Sequence, residues 1–356
     1  MFSAEKIIAR TLLILGACCL GASALAQLEP INERPNPFST VDGWADLPGD
    51  REWGSTAGVD IDPDGIHLWA IDRCGSNSCS GSNLDSIVKI DPNGNVVAAI
   101  GGGLTLFPHG LHVDRDGNIW VTDARGPDAS DPTTAGKGHA VYKLSPSGEV
   151  LLTLGTPGVA GDGTDARLNT PCDIVTDADG NIYVGDGHDG QNVNATPDSV
   201  ARIVKFDRNG NLIKYWGGWG AGPGQVKTPH AVDIDSRNRL VVGDRGNNRL
   251  QIFDLDGNYM GEFKTFSRPS GIYITDDDTI YVADSESEFD EVRNPGWTAG
   301  IRVGSLLDGI VDYFIDGTVA AYPDGSNPEG VAVDAAGNVY GAVVSGGGAM
   351  VKSSRR

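Results

Sequence analysis

Along most of this chain apolar and polar residues alternate with a period of two, in short runs broken by Asp, Asn and Gly. That period puts every second side chain on one face of a strand, so the runs predict strands buried on one side. The breaks often read Asp-Gly-Asn or Asn-Gly-Asn, as at Asp116–Asn118 and Asn209–Asn211. Gly and Asn at such tips accept the positive φ of tight hairpin turns. A longer pattern overlies the short one: a small turn, apolar alternation, Asp-x-x-Gly-Asn, then an aromatic-rich strand ending in Asp. It recurs as AGVDIDPDGIHLWAIDR, HGLHVDRDGNIWVTDA, CDIVTDADGNIYVGDG, HAVDIDSRNRLVVGDR, SGIYITDDDTIYVADS and EGVAVDAAGNVYGAVV. Most copies are followed by a second alternating hairpin, such as SIVKIDPNGNVVAAIG or RIVKFDRNGNLIKYWG.

The copies begin at Ala57, His109, Cys172, His230, Ser270 and Glu329, at spacings of 52, 63, 58, 40 and 59 residues. One period holds two hairpins, which is one four-stranded blade. Six copies therefore predict an all-β, six-bladed β-propeller with no second domain. Insertions at Pro127 to Gly138 and Asp189 to Asp198 account for the uneven spacing. The last copy ends in AMVKSS, short of a full blade, and residues around Glu52 to Ser55, or further upstream, are expected to supply the closing strand. Residues 27–50, rich in Pro, Asn and Asp, read as an arm over the surface, and 51–356 as the propeller.

In a propeller the innermost strand of each blade runs along the central channel. The six starting positions then form a ring at one end of it. His109, His230 and Glu329 come from alternate blades, so their side chains converge on one point. Imidazole and carboxylate are common zinc ligands, and three protein ligands plus water is the arrangement of catalytic zinc. The plainer reading is that axial histidines bond channel water. Cys172 shares the ring and reads as a buried, inert thiol. A second ring, where the next strand ends, holds Arg73, His188 and Arg245. Charge at strand ends suits a carboxylate or a developing negative charge; the alternative is structural pairing with Asp72 and Asp244. His67 reads as structural and His139 as exposed, and His112 is left without a role.

Lys6 and Arg10 lead into an apolar run, Thr11 to Ala26, that ends in Ala-Leu-Ala. This reads as a signal peptide over 1–26. The alternative is a lipoprotein signal, Leu15 to Cys18, with Cys18 bearing the lipid. Both imply a periplasmic or secreted protein. The run is short for a membrane span, and no later stretch is long enough. The formal charge of −21 argues against a nucleic-acid partner and suits a soluble exported protein. Cys74 and Cys79 flank a short Gly/Ser/Asn loop. An oxidising compartment would join them in a disulfide, and otherwise they are two free thiols.

The repeats resemble NHL repeats, as in NNRLQIFD. More narrowly, residues from Leu106 to Lys264 resemble the lyase domain of peptidylglycine α-amidating enzymes, in LFPHGLHVDRDGNIWVTD, TPCDIVTDADGNIYVGDG, GPGQVKTPHAVDI and VVGDRGNNRLQIFD. The resemblance implies a six-bladed propeller that cleaves peptidyl-α-hydroxyglycine into a peptide amide and glyoxylate, with zinc held by three axial histidines. The first two fall at His109 and His230, and the third falls at Glu329. Two functional arginines fall at Arg73 and Arg245, and a tyrosine proton acceptor falls at His188. A structural calcium takes backbone oxygens at the places of Val59 and Leu111 and an Asp side chain at the place of Gly330. Four matches and two changes imply a related metal site with altered chemistry. The expectation is a zinc-dependent lyase or hydrolase, monomeric, with a small-molecule or peptide substrate in the channel. Two other readings stand beside it. One is a non-catalytic NHL propeller that binds a peptide, glycan or protein. The other is a calcium-centred lactonase-type propeller, for which the ring offers few oxygen donors.

Overall fold

A computed structural model describes residues 28–287, 294–316, 327–344 and 349–356. The signal peptide read over 1–26 and the lipid-bearing Cys18 lie outside the described residues. Six four-stranded antiparallel sheets form the six blades of a β-propeller. Their innermost strands are Val59–Ile61, Pro108–Val113, Pro171–Thr176, Pro229–Ile234, Gly271–Ile274 and Pro328–Val333. The period-two alternation becomes core in layers between blades. One cluster joins Trp69, Ile71 and Ile87 of blade one to Leu111, Val113 and Ile119 of blade two. No helix among the described residues is long and apolar enough to cross a membrane.

The recurring Asp-x-x-Gly-Asn has a physical cause. Asp114 accepts from the turn amides of Asp116 and Asn118 at 3.0 and 2.9 Å, and from the Trp120 indole at 3.1 Å. Lys143, one strand further out, sits 3.0 Å from the same carboxylate. Asp62 repeats this with Trp69 and Lys89, and Asp177 and Asp334 take the hydroxyls of Tyr183 and Tyr340. One carboxylate thus caps the hairpin and satisfies the polar tip of a core aromatic.

The strand that closes the ring is Phe38–Val41, paired antiparallel with Ala349–Arg355 as the outer strand of blade six. The propeller therefore begins inside the stretch read as a surface arm, upstream of Glu52 to Ser55. Those residues form the loop into blade one: the Gly54 amide donates to Asp72 at 2.6 Å and the Ser55 amide to the Ser76 carbonyl at 2.7 Å. Four residues with one buried side chain, Phe38, carry too little alternation to stand out.

A second recurring carboxylate ends the second strand of blades one to five. Asp72, Asp123, Asp186, Asp244 and Asp284 are fully buried. Each accepts an amide from the loop that leads into its own blade's innermost strand: Gly54, Phe107, Asn169, Lys227 and Arg268 respectively. The residue after each aspartate is thereby held beside the start of the axial strand, so the two rings meet at one end of the channel.

Phe38 is 1% exposed and packs with Tyr281, Val331 and Val333 across blades five and six. Phe38→Ala should lower the unfolding free energy by about 3–5 kcal/mol in denaturant titration. A loss below about 1 kcal/mol would mean that this strand does not close the ring.

Candidate metal centre

His109, His230 and Glu329 each follow a proline, and each lies where the pairing of its axial strand slips, between Pro108 and Leu111, Pro229 and Ala231, and Pro328 and Gly330. Such a bulge re-aims one side chain, here toward the axis. It requires close approach of neighbouring strands: a Cβ on Gly110 would lie 2.5 Å from the Cys172 carbonyl oxygen. His109 Nδ1 donates to that carbonyl at 2.9 Å, and His230 Nδ1 donates to the Ser270 carbonyl at 2.6 Å. Each imidazole is thus tied to the same ring position of the next blade. Its Nε2 is left with a lone pair.

Both Nε2 atoms are buried and lack a hydrogen-bond partner. What faces them is Glu329 Oε1, 3.0 Å from His109 Nε2 and 3.7 Å from His230 Nε2. A carboxylate facing two imidazole nitrogens calls for a positive charge between them, supplied by a proton on His109 or by a metal ion. The residues present therefore fit a metal ion.

His188 joins this group from the second ring. It opens a short 3-10 turn, His188–Gln191, behind Gly187, and its amide donates to the Thr170 carbonyl at 2.9 Å. Its ring centre is 5.0 Å from that of His109 and 5.3 Å from that of His230, which are 4.6 Å apart. Among the described residues, His109, His188 and His230 each offer a donor atom within 4.8 Å of the other two. Burial, then the charge of Arg245 and the neighbouring rings, keeps His188 and His230 neutral well below the usual imidazole range, and burial lowers His109 as well. Burial would raise Glu329, but His109, Arg245 and Arg73 outweigh it and hold the carboxyl down at about 2.

Arg73 and Arg245 stand over this floor, 3% and 2% exposed. Neither pairs with the aspartate before it. Asp72 is taken by Arg51, and Asp244 by Arg249 at 2.9 Å. Arg73 donates through Nε to the Pro108 carbonyl at 3.0 Å and through Nη1 to Asn77 at 2.8 Å. Its guanidinium stacks 3.6 Å from the centre of the Phe107 ring. Burial, with Arg125 and Arg245 nearby, lowers its pKa to about 10. Arg245 donates through Nε to Gln191 at 3.1 Å. Arg73 Nη2 and Arg245 Nη1 have no hydrogen-bond acceptor, although Glu286 lies 3.5 Å from the latter. A cavity of about 450 Å³, lined by Arg73, Phe107, His109, His188, Arg245 and Glu329, collects these groups. Two buried cations with spare N–H donors suit an anion. Cys74 and Cys79 are joined in a disulfide that closes the loop carrying Asn77. Cys172 is buried with a free thiol, and it serves the site through its carbonyl. His139, expected to be exposed, is 7% exposed and accepts from the Thr170 amide at 3.1 Å.

Below the floor the channel narrows to about 40 Å³, between Val59, Leu111, Gly271 and Gly330 among others. A Cβ on Gly330 would lie 2.5 Å from the Ala57 carbonyl oxygen, so this backbone has no room for a side-chain calcium donor there. Beyond the waist is a second cavity of about 560 Å³ with Asp60, His112, Asp173 and Asp233 in its wall. The bulge at His109 and Gly110 turns His112 into that wall, which simple alternation could not foresee. Its Nδ1 is 3.3 Å from Asp60, and its Nε2 bonds the Thr176 hydroxyl at 2.9 Å. Asp60, Asp173 and Asp233 accept from Val113, Val232 and Ile274 of the following blades at 2.7, 2.9 and 2.7 Å. Burial pushes Asp173 and Asp233 up to about 7.

Comparison with known proteins agrees with this architecture. The NHL repeat matches residues 227–253, and a strictosidine synthase-like N-terminal segment matches residues 316–347. The NHL repeat-containing protein 3 of Mus musculus is 31% identical over 205 residues, 55% of this chain and 54% of that protein. A probable peptidyl-alpha-hydroxyglycine alpha-amidating lyase of Caenorhabditis elegans is 29% identical over 243 residues, 63% of this chain and 61% of that protein. The chain spans about half the length of the first of these relatives and somewhat more of the second. A gluconolactonase from Xanthomonas campestris shares the fold, with a TM-score of 0.58 at 14% identity over 90% of each chain.

The lower cavity sets a pH dependence. Asp233 has its folded pKa raised from 3.8 to about 7, so its contribution to stability is complete below the unfolded value and is lost as pH rises through about 7. Asp233→Asn has no charge to bury. Its stability relative to the parent should therefore improve by on the order of 2–4 kcal/mol between pH 4 and 8 in urea titrations. Parallel stability curves across that range would show that Asp233 is ionised without cost.

Proposed function

We propose that this chain is an exported, monomeric, metal-dependent carbon–nitrogen lyase that takes an N-acyl or peptidyl α-hydroxyglycine into the arginine-lined end of its channel. The carrying observation is the convergence of two buried Nε2 atoms without hydrogen-bond partners and the Glu329 carboxylate beneath two guanidinium groups with spare donors. The similarity to a protein described as an amidating lyase supports the reaction class. His109, His230 and Glu329 would hold the ion, and zinc suits two imidazoles and a carboxylate. Bound there, it would supply a Lewis acid at the substrate hydroxyl.

The chain's own groups do the rest. Arg73 Nη2 and Arg245 Nη1 hold the substrate carboxylate, which becomes the carboxylate of glyoxylate. That anchor sets the hydroxyl-bearing carbon over the metal-binding floor. Loss of the hydroxyl proton makes the aldehyde C=O as the C–N bond breaks. The bonding pair passes to the amide nitrogen, which takes a proton and leaves as the primary amide. Two groups beside the floor are able to accept the hydroxyl proton, His188 and Glu329. Glu329 would do so through the carboxylate oxygen that does not hold the ion.

Protein purified without chelator should contain about one zinc per chain by elemental analysis, and His109→Ala/His230→Ala should contain none. It should release glyoxylate from N-benzoyl-α-hydroxyglycine, and chelator should stop this. Metal in neither protein after zinc is supplied would remove the lyase reading and leave a peptide-, glycan- or protein-binding propeller. Arg73→Ala and Arg245→Ala should each keep the metal and lower kcat/KM by roughly 10- to 1000-fold, because a charged contact to the substrate is lost. Unchanged kcat/KM in both would remove the carboxylate anchor.

A further inference from the structure

We propose that His188 is a resident ligand of the metal ion, the third imidazole beside His109 and His230, and not the proton acceptor of the reaction. The proposal rests on the metal-dependent reading above and assigns the roles within it.

Geometry carries the argument. His109, His188 and His230 come from three consecutive blades, and each offers a donor within 4.8 Å of the other two. Glu329 approaches the two axial imidazoles from blade six, with Oε1 3.0 and 3.7 Å from their Nε2 atoms. Four donors about 2.0–2.1 Å from a tetrahedral zinc lie roughly 3.3 Å from one another. The Glu329 distances already straddle that value. His188 needs only a side-chain adjustment to reach it, because its ring centre is 5.0 and 5.3 Å from the other two.

The surroundings of His188 agree. Among the described residues its side-chain hydrogen bonding is limited to a 3.5 Å contact between Nε2 and Arg245 Nη2, beyond the ordinary range. Its backbone, in contrast, is fixed: the amide donates to Thr170, and Gly187 before it has φ 121° with the Val200 carbonyl packed where a Cβ would go. A ring held at the ion by a rigid turn, with no strong partner of its own, is built to bind rather than to shuttle a proton. Four protein donors fill a tetrahedral zinc site, so a substrate hydroxyl must add as a fifth ligand. Of the carboxylates lining this cavity, Glu286 is held by Arg268 through Nε at 3.0 Å and Nη2 at 2.8 Å. Glu329 is then the group left to take the proton, through its second oxygen.

X-ray absorption at the zinc edge of the full chain counts imidazoles without any substitution. Three imidazoles and one oxygen are expected; two imidazoles with water would overturn the proposal and leave the metal-dependent reading intact. An absence of bound zinc would overturn both. With cobalt in place of zinc, His188→Ala and His188→Gln should weaken binding in chelator competition by more than roughly 100-fold, beyond the usual loss of an outer partner. Both should also shift the visible bands and let added azide perturb them. Unchanged affinity and bands in both variants, with binding lost in His109→Ala, would likewise overturn the proposal.

Discussion

The structure depends on a set of buried carboxylates at strand ends. Asp123 shows the principle: with no exposed surface, it accepts from the amides of Leu106, Phe107 and Gly138. A charge so placed is tolerated because backbone N–H groups replace its water, and those groups are themselves satisfied by it. Burial still raises the acid's pKa, to about 6 in Asp186 despite Arg202 at 2.9 Å. That cost fixes a loop against a strand. Because the loop leads into the axial strand and the residues after the aspartate follow at once, Arg73 and Arg245, one residue on, and His188, two residues on, inherit their positions from these bonds. Blade six has Val343 at this place and ties itself to blade one instead, through the Thr56 amide on the Val343 carbonyl at 2.9 Å.

Repeat alignment anticipates the part of the site that strands determine. His109, His230 and Glu329 hold equivalent positions in their blades, so a common bulge aims all three at the axis. The arginines follow from the same logic. The partners of Asp72 and Asp244 do not, since Arg51 comes from the loop before blade one and Arg249 from the next strand. The proximity of His188 to the axial pair was also hidden. Its place is set by a 3-10 turn after Gly187, and turns do not carry the period of the strand. The two departures from the amidating-lyase pattern, at Glu329 and His188, looked separate along the chain. In space they line one cavity.

The channel is two environments rather than one. Above the waist, cations with spare donors stand over imidazoles in a chain whose net charge is −21. Below it, Asp60, Asp173 and Asp233 crowd a wall with His112. The waist, lined by Val59, Leu111, Gly271 and Gly330 among others, keeps them apart, and its closeness follows from strands that touch backbone to backbone, as Gly110 does at Cys172. The upper and lower cavities are thus separated by the waist. The lower groups brace neighbouring blades through backbone amides and keep the waist narrow.

The pairing of Phe38 with Arg355 and Val41 with Lys352 has a consequence for how the ring is made. Partners more than three hundred positions apart cannot meet until all the blades between them have been synthesised. Five blades are able to zip locally as they emerge, each from its own stretch of chain. The sixth waits, its outer seam open, for an upstream strand that was made first and must be kept from other partners. Circular closure is thus the last pairing to form: without Ala349–Arg355 the strand Phe38–Val41 has no partner and the ring is left as an open arc with an unpaired edge.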